Sequence, residues 1–512
     1  MRSGKLLSCA VFSAAALFGQ GEAGRAWPFG GTRFSELDLY NLGPLGAKAA
    51  DADAAPPAPR TSGVRQVART NDGGKADKGP ERLRIELLLH DGPAAKAGLK
   101  PGDVVVGVDG AAPFEKGSLK AIADALRKAA AQPKPSVVLL LAGADGKSKK
   151  LAVPLAGALK KDETDPQKPA VRGAWARAGA KWLAERQQSD GGFPQTLGGS
   201  TGAVVQASVA GLAWIAVGGA ERQSPHREAV DRAAKWVAKT VDAPDPFAGR
   251  RPQGGANWNQ ENWAWAHAAL FLGELHQRAP SAQLKADLQR CADALTKNQE
   301  GGGGWAHGPG GPNGLGYVEL NIMAGLALGG LGLAKQAGCK VDAGALGRAM
   351  DYVERSSSGG GVGYSTNDGQ KGIGNIGRTA GCWLGYRALG FESKKFCDEM
   401  KGYVARSVSD VLGGHASLMQ QTLLAGVAAA ALGGEPHRRF WADLADDALL
   451  ARAPDGSFQP RPWHESISMG TNSDVSCGDV WTTACWTIVL AADGADKGLA
   501  GLAGWAGLKR KT

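Results

Sequence analysis

The chain has no long block of Lys or Arg, no Cys-x-x-Cys pair and, past its N-terminal stretch, no apolar run long enough to cross a bilayer. Each absence removes a class of function. The net charge of +10, from 59 basic and 49 acidic residues, is dispersed and not interleaved with aromatics, so no nucleic-acid partner is expected. Without regular spacing, Cys291, Cys339, Cys382, Cys397, Cys477 and Cys485 select no disulfide pairing. They are expected to be small buried thiols, although an oxidising compartment would permit bridges.

What is present is length, glycine and one short apolar run. A chain of 512 residues exceeds one ordinary core and suggests several domains. Its 76 glycines and 26 prolines accompany 43% hydrophobic residues, so the glycine has positional uses rather than marking a disordered polymer. Met1-Arg2-Ser3-Gly4-Lys5, the run Leu6 to Phe18 and the small residues at Gly21-Glu22-Ala23 form an export signal spanning residues 1–23. The mature protein is then periplasmic or on the cell surface, with no stable membrane span. Residues 24–37 follow as a linker.

Residues 38–160 form the first globular unit. Ala47 to Pro80 is rich in Ala, Pro, Gly, Asp and Lys, and is expected to be a disordered insert, 47–80. After it come a strand from Leu83, a short helix at Pro93, a turn at Lys100-Pro101-Gly102-Asp103 and a strand over Val104 to Val108. An amphipathic helix over Ser118 to Ala130 precedes a hairpin of Ser136 to Ala142 with Lys149 to Pro154, turning at Asp145-Gly146. This order and the words "GPAAKAGLKPGDVVVGVDG" resemble the PDZ domains of exported bacterial proteins. The resemblance implies a small β-rich domain that takes a peptide C-terminus or an extended peptide by strand addition. Its carboxylate-binding loop would be Leu42, Gly43, Leu45 and Gly46, with Pro44 contributing no N–H; the same stretch also reads as a turn in a linker.

Residues 161–171 are a linker, 172–495 a helical region and 496–512 a tail. Two textures alternate six times in the helical region, with a period near 50 residues. Arg172 to Gln188, Arg227 to Thr240, Gln283 to Gln299, Ala343 to Ser356, Ser393 to Val411 and His437 to Arg452 are amphipathic and charged. Gly202 to Val217, Glu261 to Gln277, Tyr317 to Lys335, Ile376 to Leu389, Ala416 to Leu432 and Cys477 to Ala492 are apolar and small. A helix with one wet face belongs outside, and one apolar all round is enclosed by protein. Two concentric rings satisfy both, with an open solenoid as the alternative. Glycine-aromatic tracts end the charged helices, as in Asp190-Gly191-Gly192-Phe193, Gly303-Gly304-Trp305, Gly360-Gly361-Val362-Gly363-Tyr364 and Pro454-Asp455-Gly456-Ser457-Phe458. They resemble the Gln-to-Trp/Phe repeats of terpene cyclases and protein prenyltransferases, which implies an all-α (α/α)6 toroid. The whole combination resembles a planctomycete-type family of exported bacterial proteins that carry no established activity.

Long connections gather where the apolar helices begin, and loops collected on one face are where sites sit. Six helix N-termini there would make that mouth electropositive. Candidate catalytic residues are Glu261, Glu319, Asp368, Arg378, His415 and Asp474; candidate ligand platforms are Trp258, Trp263, Trp305, Tyr317, Tyr364 and Asn367. His267, Ser417 and Gln420 belong to the same set of polar residues near the helix starts. Terpene cyclase chemistry needs an Asp-x-Asp-Asp acid motif, and none occurs. Asp474, Cys477 and His464 supply donors that suit zinc, though their order departs from the prenyltransferase pattern; no other cofactor is expected. Paired carboxylates with aromatic platforms would suit a hydrolase or lyase acting on a glycan or small molecule. A peptide- or polymer-binding protein with such a site, and a non-catalytic scaffold, both remain open.

Overall fold

The computed structural model describes residues 39–53, 81–109, 114, 117–143, 145–160, 163–193, 199–244, 246–247, 260–309, 319–367, 371–391, 394–413, 417–461, 473–492 and 499. Six strands run as an antiparallel meander in chain order: β1 (Tyr40–Asn41), β2 (Ala47–Asp51), β3 (Leu83–Leu88), β4 (Val104–Val108), β5 (Ser136–Ala142) and β6 (Ser148–Pro154). Helices α1 (Pro93–Lys96) and α2 (Ser118–Ala130) complete the unit. Apolar side chains at 122, 123, 126, 129 and 130 give α2 one stripe, and Ile122, Ala123 and Leu126 are wholly buried.

One expectation fails here. Ala47–Asp51 is a strand rather than the start of an insert, because it pairs with β3 and buries Ala47, Lys48 and Ala49. Its sequence Ala-Lys-Ala-Ala-Asp has no β-branched residue, so local propensity is silent and tertiary pairing decides. Residues 54–80 of the expected insert, like the export signal, lie outside the described residues.

Beyond Pro154 the regular elements among the described residues are helices, apart from a small hairpin of β7 (Ser357–Ser358) and β8 (Gly361–Val362). The charged set is α3 (Pro169–Arg186), α5 (Arg227–Val241), α7 (Ala282–Lys297), α9 (Ala343–Arg355), α11 (Lys395–Ser407) and α13 (Gly434–Ala451). The apolar set is α4 (Gly199–Ala216), α6 (Glu261–Arg278), α8 (Asn321–Gln336), α10 (Ile376–Ala388), α12 (Leu418–Leu432) and α14 (Ser473–Ala491). Each apolar helix packs on the next in chain order, and α14 returns to α4 and to α3. On α5 only one stripe is buried (Ala229, Val230, Ala233, Ala234, Val237, Val241), whereas on α6 every residue from Ala264 to Leu275 is.

The glycine abundance has two uses. Along α8 and α10 it lets backbones approach: a Cβ on Gly325 would lie 2.8 Å from the Cys382 nitrogen, and one on Gly385 2.7 Å from Leu328 Cβ. In the tracts it joins one charged helix to the next. Gln187, after α3, donates Nε2–H to the carbonyls of Gly191 and Ala229, while Arg232 on α5 donates back to its Oε1 at 2.8 Å. Gln299, after α7, repeats this with Gly303, Ala345 and Arg348 of α9. In three of the tracts the second glycine seats an aromatic of the following charged helix: Gly192 under Trp236, Gly304 under Tyr352, Gly361 under Tyr403. The last tract docks on the first charged helix, since Trp182 donates to Asp455 at 2.8 Å.

Candidate functional site

Two places carry a candidate site, the loop between β1 and β2 and the end where the apolar helices begin. In the first, the N–H groups of Leu42, Leu45 and Gly46 are already used. Leu42 donates its N–H to the Ala47 carbonyl, Leu45 to Leu42 and Gly46 to Gly43, and Pro44 has no N–H to give. Leu42 and Leu45 are 0% exposed. The backbone of α13 lies over the loop, so that a Cβ on Gly43 would meet the Leu449 carbonyl oxygen at 2.7 Å and one on Gly46 the Pro454 side chain at 3.1 Å. Both edges of β2 are paired, one with β3 and the other with β1, Tyr40 facing Ala49 and Asn41 facing Lys48.

At the other end, several residues expected to serve a ligand serve the tracts instead. Glu319 accepts the Gly304 N–H at 3.3 Å, beside Gly302. Arg378 donates to the carbonyls of Val362 and Ile373, with its guanidinium 5.3 Å from the Tyr364 ring centre. Asn367 donates its N–H to Ser365 Oγ, and Trp305 is wholly buried with Nε1–H donated to the Leu295 carbonyl. Glu261 opens α6. Asp474 is buried and accepts from Ser417 Oγ at 2.5 Å, the Met419 N–H at 3.0 Å and Trp481 Nε1 at 3.0 Å. Burial pushes its carboxyl pKa up while those donors pull the other way. Glu319, Arg378 and Asp474 therefore each have partners within the protein. Trp258, Tyr317, Asp368, His415 and His464 lie outside the described residues.

At four of the six apolar helix starts a backbone N–H is already taken by the protein. The Asn262 N–H goes to the His307 carbonyl, that of Asn321 to Tyr364, that of Gly377 to Gln421 Oε1 and that of Met419 to Asp474. An N–H group spent in this way is not available to an anion. Of the zinc set, Asp474 has both oxygens accepting hydrogen bonds, and Cys477 is in no disulfide. Among the described residues no group of three or more His, Cys, Asp or Glu is arranged to hold a metal ion. None of the six cysteines from Cys291 onward forms a disulfide, and five of them are buried.

One cluster at this end does retain unused polar atoms. Trp263 donates Nε1–H to His307 Nδ1 at 2.8 Å. His267, one turn further along α6, stacks beside Trp263 (centroids 6.2 Å apart, 19° between planes) and meets the edge of Trp481 at 6.1 Å and 69°. Because α4 packs against both α6 and α14, His267 and Trp481 meet past that helix rather than between sequence-adjacent neighbours. His267 Nδ1 lies 2.8 Å from the Trp263 carbonyl. A carbonyl only accepts, so Nδ1 carries the hydrogen and Nε2 keeps its lone pair. That Nε2 has no hydrogen-bond partner among the described residues, in a side chain 1% exposed. Burial lowers the imidazole pKa to about 4 despite the opposing Trp263 carbonyl, so the ring is neutral near pH 7. The side-chain amide of buried Gln420, whose N–H goes to Ser417 Oγ, is likewise unpartnered. The sequence singles out His267 and Gln420 by position but passes over Trp481. Between Asp474 and Trp481 the helix is broken at Gly478 (φ +81°), so helical spacing carries no signal for their contact.

Comparison with known families agrees with this division of the chain. A PDZ domain profile matches residues 85–148. PDZ domains are peptide-binding modules. A profile described as a domain of unknown function, DUF6288, matches residues 176–491, more than half of the chain. No curated protein matches. Among the described residues no helix is long and apolar enough to cross a membrane.

Proposed function

The chain belongs to the family defined by the domain of unknown function DUF6288, and from that premise we propose that it is an exported recognition protein. Its helical region is in this reading an (α/α)6 toroid, supported by the return of α14 to α4 and of the last tract to the first charged helix. The ligand, an extended peptide or a polymer segment, is met at the end where the apolar helices begin. The observation that carries this reading is the unpartnered Nε2 of His267, buried between Trp263 and Trp481. A buried acceptor without a donor is costly, and a ligand N–H or O–H supplies the missing partner while the aromatics contact its apolar face.

Recognition is favoured over hydrolysis, lyase chemistry or a zinc-dependent transfer because Glu319 and Asp474 already hold protein donors. Tryptophan fluorescence tests the proposal, with synthetic oligopeptides and oligosaccharides titrated into the full-length protein. A saturable ligand is expected, bound at least tenfold more weakly by His267→Phe and by Trp481→Leu. Equal affinity in all three proteins, or no saturable member of either panel, counts against it.

A further inference from the structure

We infer that the PDZ module is an internal clasp, whose partner is the sixth charged helix and its tract in the same chain, and that this contact shuts out external C-terminal peptides. The argument begins with strand direction. A peptide that adds to β2 with its carboxyl end at the Leu42–Gly46 loop must run antiparallel to β2 and toward that loop. The chain's own Tyr40–Asn41 runs antiparallel on the β2 edge not used by β3, and it leads directly into the loop. The strand-addition edge is thus occupied by a segment of the module itself.

The loop has a second occupant. Leu449, Leu450 and Pro454 lie against Gly43 and Gly46, so that a Cβ on Gly43 would collide with the Leu449 carbonyl oxygen at 2.7 Å and one on Gly46 would press on Pro454 at 3.1 Å. Polar groups fix the register of this contact. Asn41 donates Nδ2–H to the carbonyls of Gln459 at 3.3 Å and Pro460 at 2.8 Å. On α2, Arg127 pairs with Asp446 of α13, and Lys120 lies 3.7 Å from the same carboxylate. Arg452, just past α13, donates to the Ala158 carbonyl while its guanidinium covers Trp175. Strand edge, loop and helix of the module therefore all face inward or are already paired.

The inference is independent of any ligand at His267, and its test uses the full-length protein. Arg127→Cys with Asp446→Cys forms a lock that can be oxidised; Asn41→Ala with Asp446→Arg removes the polar anchors. Spin labels on Asp145 and Glu228, each changed to Cys in a background with the native cysteines replaced, report docking as a distance distribution. The binding probe is a fluorescein-labelled pool of random heptapeptides with free C-terminal carboxylates. Wild type and oxidised lock are expected to give a narrow distance and no binding. The double variant should broaden the distance and gain at least tenfold in binding, and adding Arg127→Glu with Lys120→Glu should restore the wild-type pattern. Should anchor removal leave the distance narrow, Leu450→Arg is added to force the interface apart. A wild-type distance that is already broad, binding by the oxidised lock, or an undocked form that gains no binding overturns the inference.

Discussion

The β1–β2 loop and the His267 cluster are opposites. The loop belongs to the sheet of the unit that matches a PDZ profile over residues 85–148, yet its Leu42, Leu45 and Gly46 donors are spent within the loop and α13 covers it. The cluster matches no motif, yet it holds a buried nitrogen with no donor among the described residues. Binding capacity lies in unsatisfied groups, and a module whose groups are satisfied internally has become part of the scaffold.

Four changes would break or sharpen this contrast. The largest effect is expected from Asp474→Ala. It strips the acceptor from Ser417, Met419 and Trp481 together, at a cost of about 4 kcal/mol in urea unfolding of the helical region. Hydrogen exchange in the six-strand sheet should be unchanged, because none of those residues belongs to it.

Gly43→Ala acts at the other region. Gly43 sits at φ +58°, and an added Cβ would face the Leu449 carbonyl oxygen at 2.7 Å. Left-handed strain plus the collision should cost about 3 kcal/mol and loosen the module from α13, seen as faster exchange in both. An unchanged stability would mean that the loop is not seated as described.

The third prediction is a pH dependence. Unfolded His267 takes up a proton near 6.5, whereas the folded ring resists protonation until about 4. The unfolded state then binds more protons in that window, so stability falls as pH drops through it, by about 2 kcal/mol between pH 7 and pH 5. Asp474, raised by burial, acts with the opposite sign, and His226 and His276, both lowered by burial, act with the same sign. Comparison of wild type with His267→Gln cancels all three and leaves the His267 slope. Equal slopes in the two proteins would remove the claim of a neutral buried imidazole.

The smallest effect belongs to Asn41→Ala, which removes two hydrogen bonds to the tract after α13 and should cost about 1 kcal/mol in chemical denaturation. No loss at all would leave the apolar contact and the Arg127–Asp446 and Arg452–Ala158 pairs as the anchors of the module.

Much of the framework was legible in sequence. Alternating textures locate both helix sets, the Ser118–Ala130 and Val104–Val108 boundaries are as read, and Gln187 and Gln299 stand where tracts cross to the next charged helix. The site was less legible for a physical reason. A polar residue at a helix start looks the same whether it awaits a ligand or holds a neighbouring loop, and Glu319, Arg378 and Asp474 prove to hold protein groups. Ala47–Asp51 was hidden because its pairing partner begins more than thirty residues later in the chain, at Leu83. Trp481 was hidden inside an apolar run whose composition reads as core.

Crystals of the full-length protein soaked with short peptides bearing free carboxylates and with small saccharides compare the two regions in one experiment. The account predicts ligand density against His267 Nε2 and Trp481, and none at Leu42 to Gly46. A carboxylate bound in that loop, with the His267 cluster empty across the whole set, would contradict it.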